Sequence, residues 1–142
     1  MAIWFRKPTI DELNRWGKKT AVALLGIEIT DVGDDYIKGC MPVDDRTRQP
    51  MGLLHGGASV LFAESLASIA ANYCVDPDRV YCVGLDINAN HIRGVREGMV
   101  AGIAKPLHIG RSTQVWEIKI TDQAGHLVCV SRLTLAVVQK ST

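Results

Sequence analysis

The chain has 142 residues, 16 Lys plus Arg against 15 Asp plus Glu, and a formal net charge of +1. At 47% hydrophobic and 22% charged it has the composition of one globular domain spanning 1–142, not of a disordered chain. No basic stripe offers itself to nucleic acid, and no run of about 18 apolar residues offers a membrane span.

Thr9-Ile10-Asp11-Glu12-Leu13-Asn14 is predicted as a short helix, with Thr9 as N-cap and Glu12 completing a capping box. From Leu25 to Val43 the pattern alternates. Leu25, Ile27 and Ile29 point one way, Val32-Gly33-Asp34-Asp35 turns, and Tyr36 to Met41 resumes as a strand. Asp44 to Gly57 reads as loop. Ala58 to Cys74 is a predicted helix, rich in Ala and Leu and apolar nearly all round, as in a helix buried on most sides. Asp76-Pro77-Asp78 ends it. Four strands follow, at Val80–Ala89, Met99–Ala104, Thr113–Thr121 and Leu127–Val138, with a hairpin turn at Asp122-Gln123-Ala124-Gly125. The last strand is apolar on both faces, which suits a central position or an oligomer contact. A lone apolar helix among runs of strands predicts an α+β fold with an antiparallel sheet wrapped on that helix.

The N-terminus shows no apolar run with a cleavage site, so no secretory signal is read there. Cys40, Cys74, Cys82 and Cys129 are scattered, form no CxxC pair and have no close His. They predict no metal site and suit a reducing cytoplasm.

Two features carry chemistry. Gln49-Pro50-Met51-Gly52-Leu53-Leu54-His55-Gly56-Gly57 leads into the long helix. The first N–H groups of a helix lack internal partners and carry the positive dipole end, so this turn suits a carbonyl oxygen gaining negative charge. It is equally readable as a tight turn. The second feature is Glu64, a carboxylate on an otherwise apolar helix, which needs a partner or a purpose. The alternative is a Glu at the helix's one wet edge, with or without an Arg partner. Ser68 lies one turn on, on the same face. Gly56 and Glu64 are eight residues apart, roughly 12 Å of helical rise. Reacting groups must come within about 3–3.5 Å of one atom. If both act on one carbonyl, they are expected from different subunits across a two-fold interface. His91 closes a strand and is a candidate pocket residue. Arg93, Arg96 and the turn His108-Ile109-Gly110-Arg111-Ser112 are candidates for gripping phosphate, or plain surface charge. His126 is expected to be exposed and without a role.

Met41-Pro42-Val43-Asp44, Gly52-Leu53-Leu54-His55-Gly56-Gly57-Ala58-Ser59, Ala63-Glu64-Ser65, Gly84-Leu85-Asp86-Ile87-Asn88-Ala89-Asn90-His91 and Pro106-Leu107-His108-Ile109-Gly110 resemble the hotdog-fold acyl-CoA thioesterases. The likeness covers nearly the whole chain. It is greatest to the bacterial branch that holds the 1,4-dihydroxy-2-naphthoyl-CoA and enterobactin-proofreading enzymes. The resemblance implies a long helix wrapped by an antiparallel sheet, dimers with a continuous sheet, and commonly tetramers. It implies hydrolysis of an acyl-CoA, aromatic in this branch, without a cofactor. It implies Glu64 as nucleophile or general base, the Gly56 N–H on the thioester oxygen, and His55 and Gln49 beside it. Ser68 and His91 match acyl-pocket positions. Arg93, His108, Gly110 and Arg111 match positions near the CoA phosphates. Met51 stands where relatives often carry Phe, and the loop Val75 to Tyr81 is slightly longer than theirs. Both put the acyl preference in question rather than the reaction. Two rival readings remain. One is a thioesterase clearing misloaded acyl carrier protein, which needs a docking surface, usually basic, that the neutral charge does not supply. The other is a non-catalytic acyl-CoA-binding module, against which Glu64 argues. A dehydratase is disfavoured, because hotdog dehydratases place a His and an acidic partner differently.

Overall fold

A computed structural model describes residues 1–141; Thr142, the end of the expected domain, lies outside the described residues. α1 (Ile10–Trp16) carries the expected capping box: the Thr9 hydroxyl accepts from the Glu12 N–H, and the Glu12 carboxylate accepts from the Thr9 N–H at 2.8 Å. A four-residue helix, α2 (Ala21–Leu24), follows on a Thr20 cap. The alternating pattern did not reveal it. Leu25 therefore falls outside the strand where the pattern placed it, and Gly26, at φ 74°, turns the chain into β1 (Glu28–Val32). β2 (Ile37–Val43) returns antiparallel to β1.

α3 runs from Gly56 to Tyr73, two residues earlier than its composition suggested, because His55 serves as N-cap. β3 (Val80–His91), β4 (Gly98–Ile109), β5 (Thr113–Thr121) and β6 (Leu127–Gln139) complete a six-stranded antiparallel sheet in the order β1-β2-β4-β5-β6-β3. β4 is longer than expected. It continues through Pro106 by a register shift between Pro106 and His108, where a ladder tolerates a missing N–H. β6 sits inside the sheet between β5 and β3, which explains its two apolar faces. No described helix is long and apolar enough to cross a membrane.

The sheet wraps α3. Phe62, Ala63, Leu66, Ala67 and Ala70 are fully buried against Trp116, Ile118 and Leu133. Side chains at Gly39 and Gly102 would collide with Leu66 and Phe62, so these two glycines let the helix sit directly on the strands. The burial is one-sided, however. Glu64, Ser65, Ser68 and Asn72 are only half-buried, along the face of α3 turned away from the sheet. β3 is an edge strand of 12 residues with no partner on its outer side among the described residues. Val83 and Leu85 stand exposed along it.

Candidate active site

The start of α3 leaves one donor free. Ala58 and Ser59 donate their N–H groups to the His55 carbonyl, and Gly57 donates to His55 Nδ1 at 2.8 Å. His55 is thereby fixed as the N-cap, with its ring proton on Nε2. The Gly56 N–H donates to nothing among the described residues. It opens on a cleft walled by Gln49, Leu53, Ser59, His91 and Arg93. Here the His91 ring packs so closely on Gly56 that a Cβ would come within 2.8 Å of Nε2. Gln49 is held by its turn. Its side-chain oxygen accepts from the Met51 N–H and its backbone N–H donates to Leu53 at 2.8 Å, which leaves the side-chain NH₂ for a ligand.

Glu64 lies elsewhere. It lines a second cavity with Leu61, Ser65, Ser68 and Val22 at the half-exposed edge of the helix, and no Arg pairs with it among the described residues. Its carboxylate leans over Gly84 of β3, where Oε2 occupies the space that a Cβ would need. A register shift between Gly84 and Asp86 keeps Cys82, Gly84, Ile87, Ala89 and His91 facing the helix side. Asn72, two turns beyond Glu64, ties α3 to the same strand. It donates to the Cys82 carbonyl at 3.1 Å and accepts from the Cys82 N–H at 2.8 Å.

The sequence candidates therefore fall into three places within one chain. Gln49, His55, Gly56, His91 and Arg93 come together at the head of α3. Glu64 and Ser68 share the cavity along its exposed face. His108 belongs to the end of β4, paired with Val115, rather than to the turn expected there, and its ring lies over Gly110; Gly110 and Arg111 line a further cleft with Arg79, a cation the sequence reading did not single out. Gly84 was also missed as a site residue. Its signal was an isolated glycine inside a strand pattern, the mark of a close approach. His126 sits exposed in the last hairpin, 3.3 Å from Asp122.

The family model described as the thioesterase superfamily matches residues 51–129, which include the head of α3, Glu64 and the whole of β3. The chain belongs to the thioesterase superfamily. This thioesterase is 52% identical over 135 residues to the 1,4-dihydroxy-2-naphthoyl-CoA hydrolase of Escherichia coli, covering 95% of this chain and 98% of that one. It is 50% identical to the proofreading thioesterase EntH of Cronobacter turicensis, with the same coverage of both. Among solved structures, a glutamine-to-alanine mutant of thioesterase PA1618 from Pseudomonas aeruginosa superposes with a TM-score of 0.96 at 47% identity, over 98% of this chain and 100% of that one. The thioesterase has the hotdog fold, and it is a thioester hydrolase.

Proposed function

We propose that this thioesterase hydrolyses acyl-CoA thioesters, aromatic ones among them, to the free acid and CoA. Residues 1–142 act as one domain, in the cytoplasm, as a homodimer or a tetramer of two such dimers. Glu64 is the nucleophile or the general base toward water. The Gly56 N–H holds the thioester oxygen, the Gln49 side-chain NH₂ adds a second donor, and His55 keeps the turn in place. Ser68 and His91 line the acyl side. Arg93, His108, Gly110 and Arg111 meet the phosphate-bearing end.

One observation carries the reading. The free Gly56 N–H and the Glu64 carboxylate open on different clefts of one chain, yet both lie against the uncovered edge strand, at His91 and Gly84 respectively. Seven residues of strand separate these points, roughly 24 Å. A second copy that adds its own β3 antiparallel, across a two-fold axis near Asn88, reverses the ends. The partner's Gly56 then comes beside Glu64, and the same contact is made twice. The arrangement also covers the edge strand.

The reaction is tested by Glu64→Gln and Glu64→Ala, assayed on aroyl- and fatty acyl-CoAs. A loss of about 10² or more in kcat is expected, with the fold intact by circular dichroism. Near-normal turnover removes Glu64 from the mechanism. A single turnover in ¹⁸O-water probes its two roles. Label appearing in Glu64 marks an anhydride formed on the carboxylate and opened at the Glu64 carbonyl; label in the product acid alone leaves direct water attack or opening at the acyl carbonyl, which trapping of the acyl-enzyme with hydroxylamine tells apart. The proofreading relative supports a second reading, in which acyl groups are cleared from a carrier protein. Faster turnover of an acyl group on its carrier than on CoA would favour it.

A further inference from the structure

α3 presents two neighbouring stripes at four-residue spacing on the side turned from the sheet, Leu61-Ser65-Ile69-Tyr73 and Glu64-Ser68-Asn72, all half-buried except the buried Ile69. The first turns of both stripes line the Glu64 cavity, about 350 Å³, whose outer wall is Val22. The last turn, Asn72 and Tyr73, floors another cavity of about 300 Å³, walled by Phe5, Trp16, Val75 and Tyr81. The two hollows thus follow one another along one helix face, with the α1–α2 segment supplying Trp16 and Val22 as a shared outer wall.

The second hollow is aromatic and open. Phe5 is 59%, Trp16 55% and Tyr81 41% exposed, an unusual gathering of large apolar side chains around a concavity. Trp16 meets Tyr73 edge to face, with centroids 6.1 Å apart. The Arg6 guanidinium covers the Tyr73 ring at 5.5 Å, but its charge is matched by Glu12 at 3.2 Å. Lys140 stands at the rim. The hollow therefore offers ring faces more than a charge to its occupant.

We propose that this aromatic cleft is the far half of the acyl-binding groove, and that it takes the distal aryl or long apolar end of an acyl group whose thioester lies at Glu64. The inference rests on Glu64 being the catalytic carboxylate. Glu64 and Asn72 are eight residues apart, so the cleft begins roughly 12 Å beyond the reacting carbon. A benzoyl group ends short of it, whereas a phenyl ring on a chain of eight or more methylenes reaches it. Phe5 and Trp16 are thus specificity-determining residues that act only on long substrates.

The test is the ratio of kcat/KM for a long ω-phenylalkanoyl-CoA to that for benzoyl-CoA, measured on wild type, Phe5→Ala, Trp16→Ala and Trp16→Phe. The two Ala variants are expected to lose roughly tenfold or more on the long substrate, the range for an emptied apolar subsite, and less than twofold on benzoyl-CoA. Trp16→Phe is expected to keep most of the long-substrate rate. Undiminished benzoyl-CoA turnover in the same preparation reports that the variants fold. An equal loss on both substrates would overturn the proposal, because the cleft would then serve the shared CoA portion or the fold. No loss on either would overturn it as well. Failure of the catalytic reading is seen separately, as full benzoyl-CoA turnover by Glu64→Gln.

Discussion

Gly84→Ala asks whether the position of the Glu64 carboxylate matters, without removing it. A Cβ built on Gly84 falls on Glu64 Oε2, while the carboxyl carbon and Leu133 Cδ1 stay at ordinary contact, 3.5 and 3.6 Å. Gly84 is not among the positive-φ residues, so alanine fits the backbone. Relief of the clash needs the carboxylate to move by about 1 Å, and a misplacement of that size costs roughly 10² in rate. That corresponds to about 2.7 kcal/mol of barrier. Stability is expected to change by less than about 1 kcal/mol, since Glu64 borders an open cavity of about 350 Å³ and alanine restricts the unfolded chain. The assay is kcat on an aroyl-CoA, with the thermal midpoint measured on the same sample. Gly39→Ala is the contrast. Its Cβ would lie 2.7 Å from the Glu28 carbonyl and 2.9 Å from Leu66 in the core, so it is expected to lose about 1–3 kcal/mol of stability. Wild-type kcat in Gly84→Ala, with its fold unchanged, would refute the reasoning.

Gly56→Pro deletes the free N–H, and its Cβ also presses on the His91 ring, so Gly56→Ala, which adds the same Cβ and keeps the N–H, is measured beside it. Gly56 is the first residue of α3, where proline is tolerated, and His55 is already extended at φ −68° and ψ 129° as a residue before proline requires. A drop of about 10²–10³ in kcat is expected, with helix content retained by circular dichroism; unchanged kcat would dismiss this donor. The cysteines are expected to be inert. Burial pushes the Cys74 thiol up to about 12 and the Cys82 thiol up to about 11, and it raises Cys40 and Cys129 too. The reactive thiolates of Cys74 and Cys82 therefore form only as the pH climbs toward those values. Iodoacetamide at pH 7.5 should leave the native protein unlabelled by mass spectrometry and modify all four cysteines in guanidinium; rapid native labelling would contradict this.

What the sequence revealed was periodic or local. The capping box at Thr9 and Glu12, the β alternation and the apolar run of α3 are short-range signals, and each stands in the fold. Glu64 and the His55-Gly56-Gly57 turn were visible because they interrupt such patterns. α2 escaped because four residues carry too little periodicity to show as a helix. The partners of the site residues escaped for another reason. Gly84 under Glu64 and His91 on Gly56 are contacts between elements 20 or more positions apart, set by how β3 lies across α3. The aromatic cleft is of the same kind. Phe5, Trp16, Tyr73 and Tyr81 belong to four separate stretches of chain, and no spacing rule joins them.

Shared construction of the active site is tested most directly by mixing two dead variants. Glu64→Gln lacks the carboxylate and Gly56→Pro lacks the N–H donor. Equal amounts are unfolded together, refolded and assayed on an aroyl-CoA. If each site takes Glu64 from one protomer and Gly56 from its neighbour, half of the random dimers hold one intact site, and about a quarter of wild-type activity should return. A mixture no more active than its two inactive parents would contradict a site built across two chains.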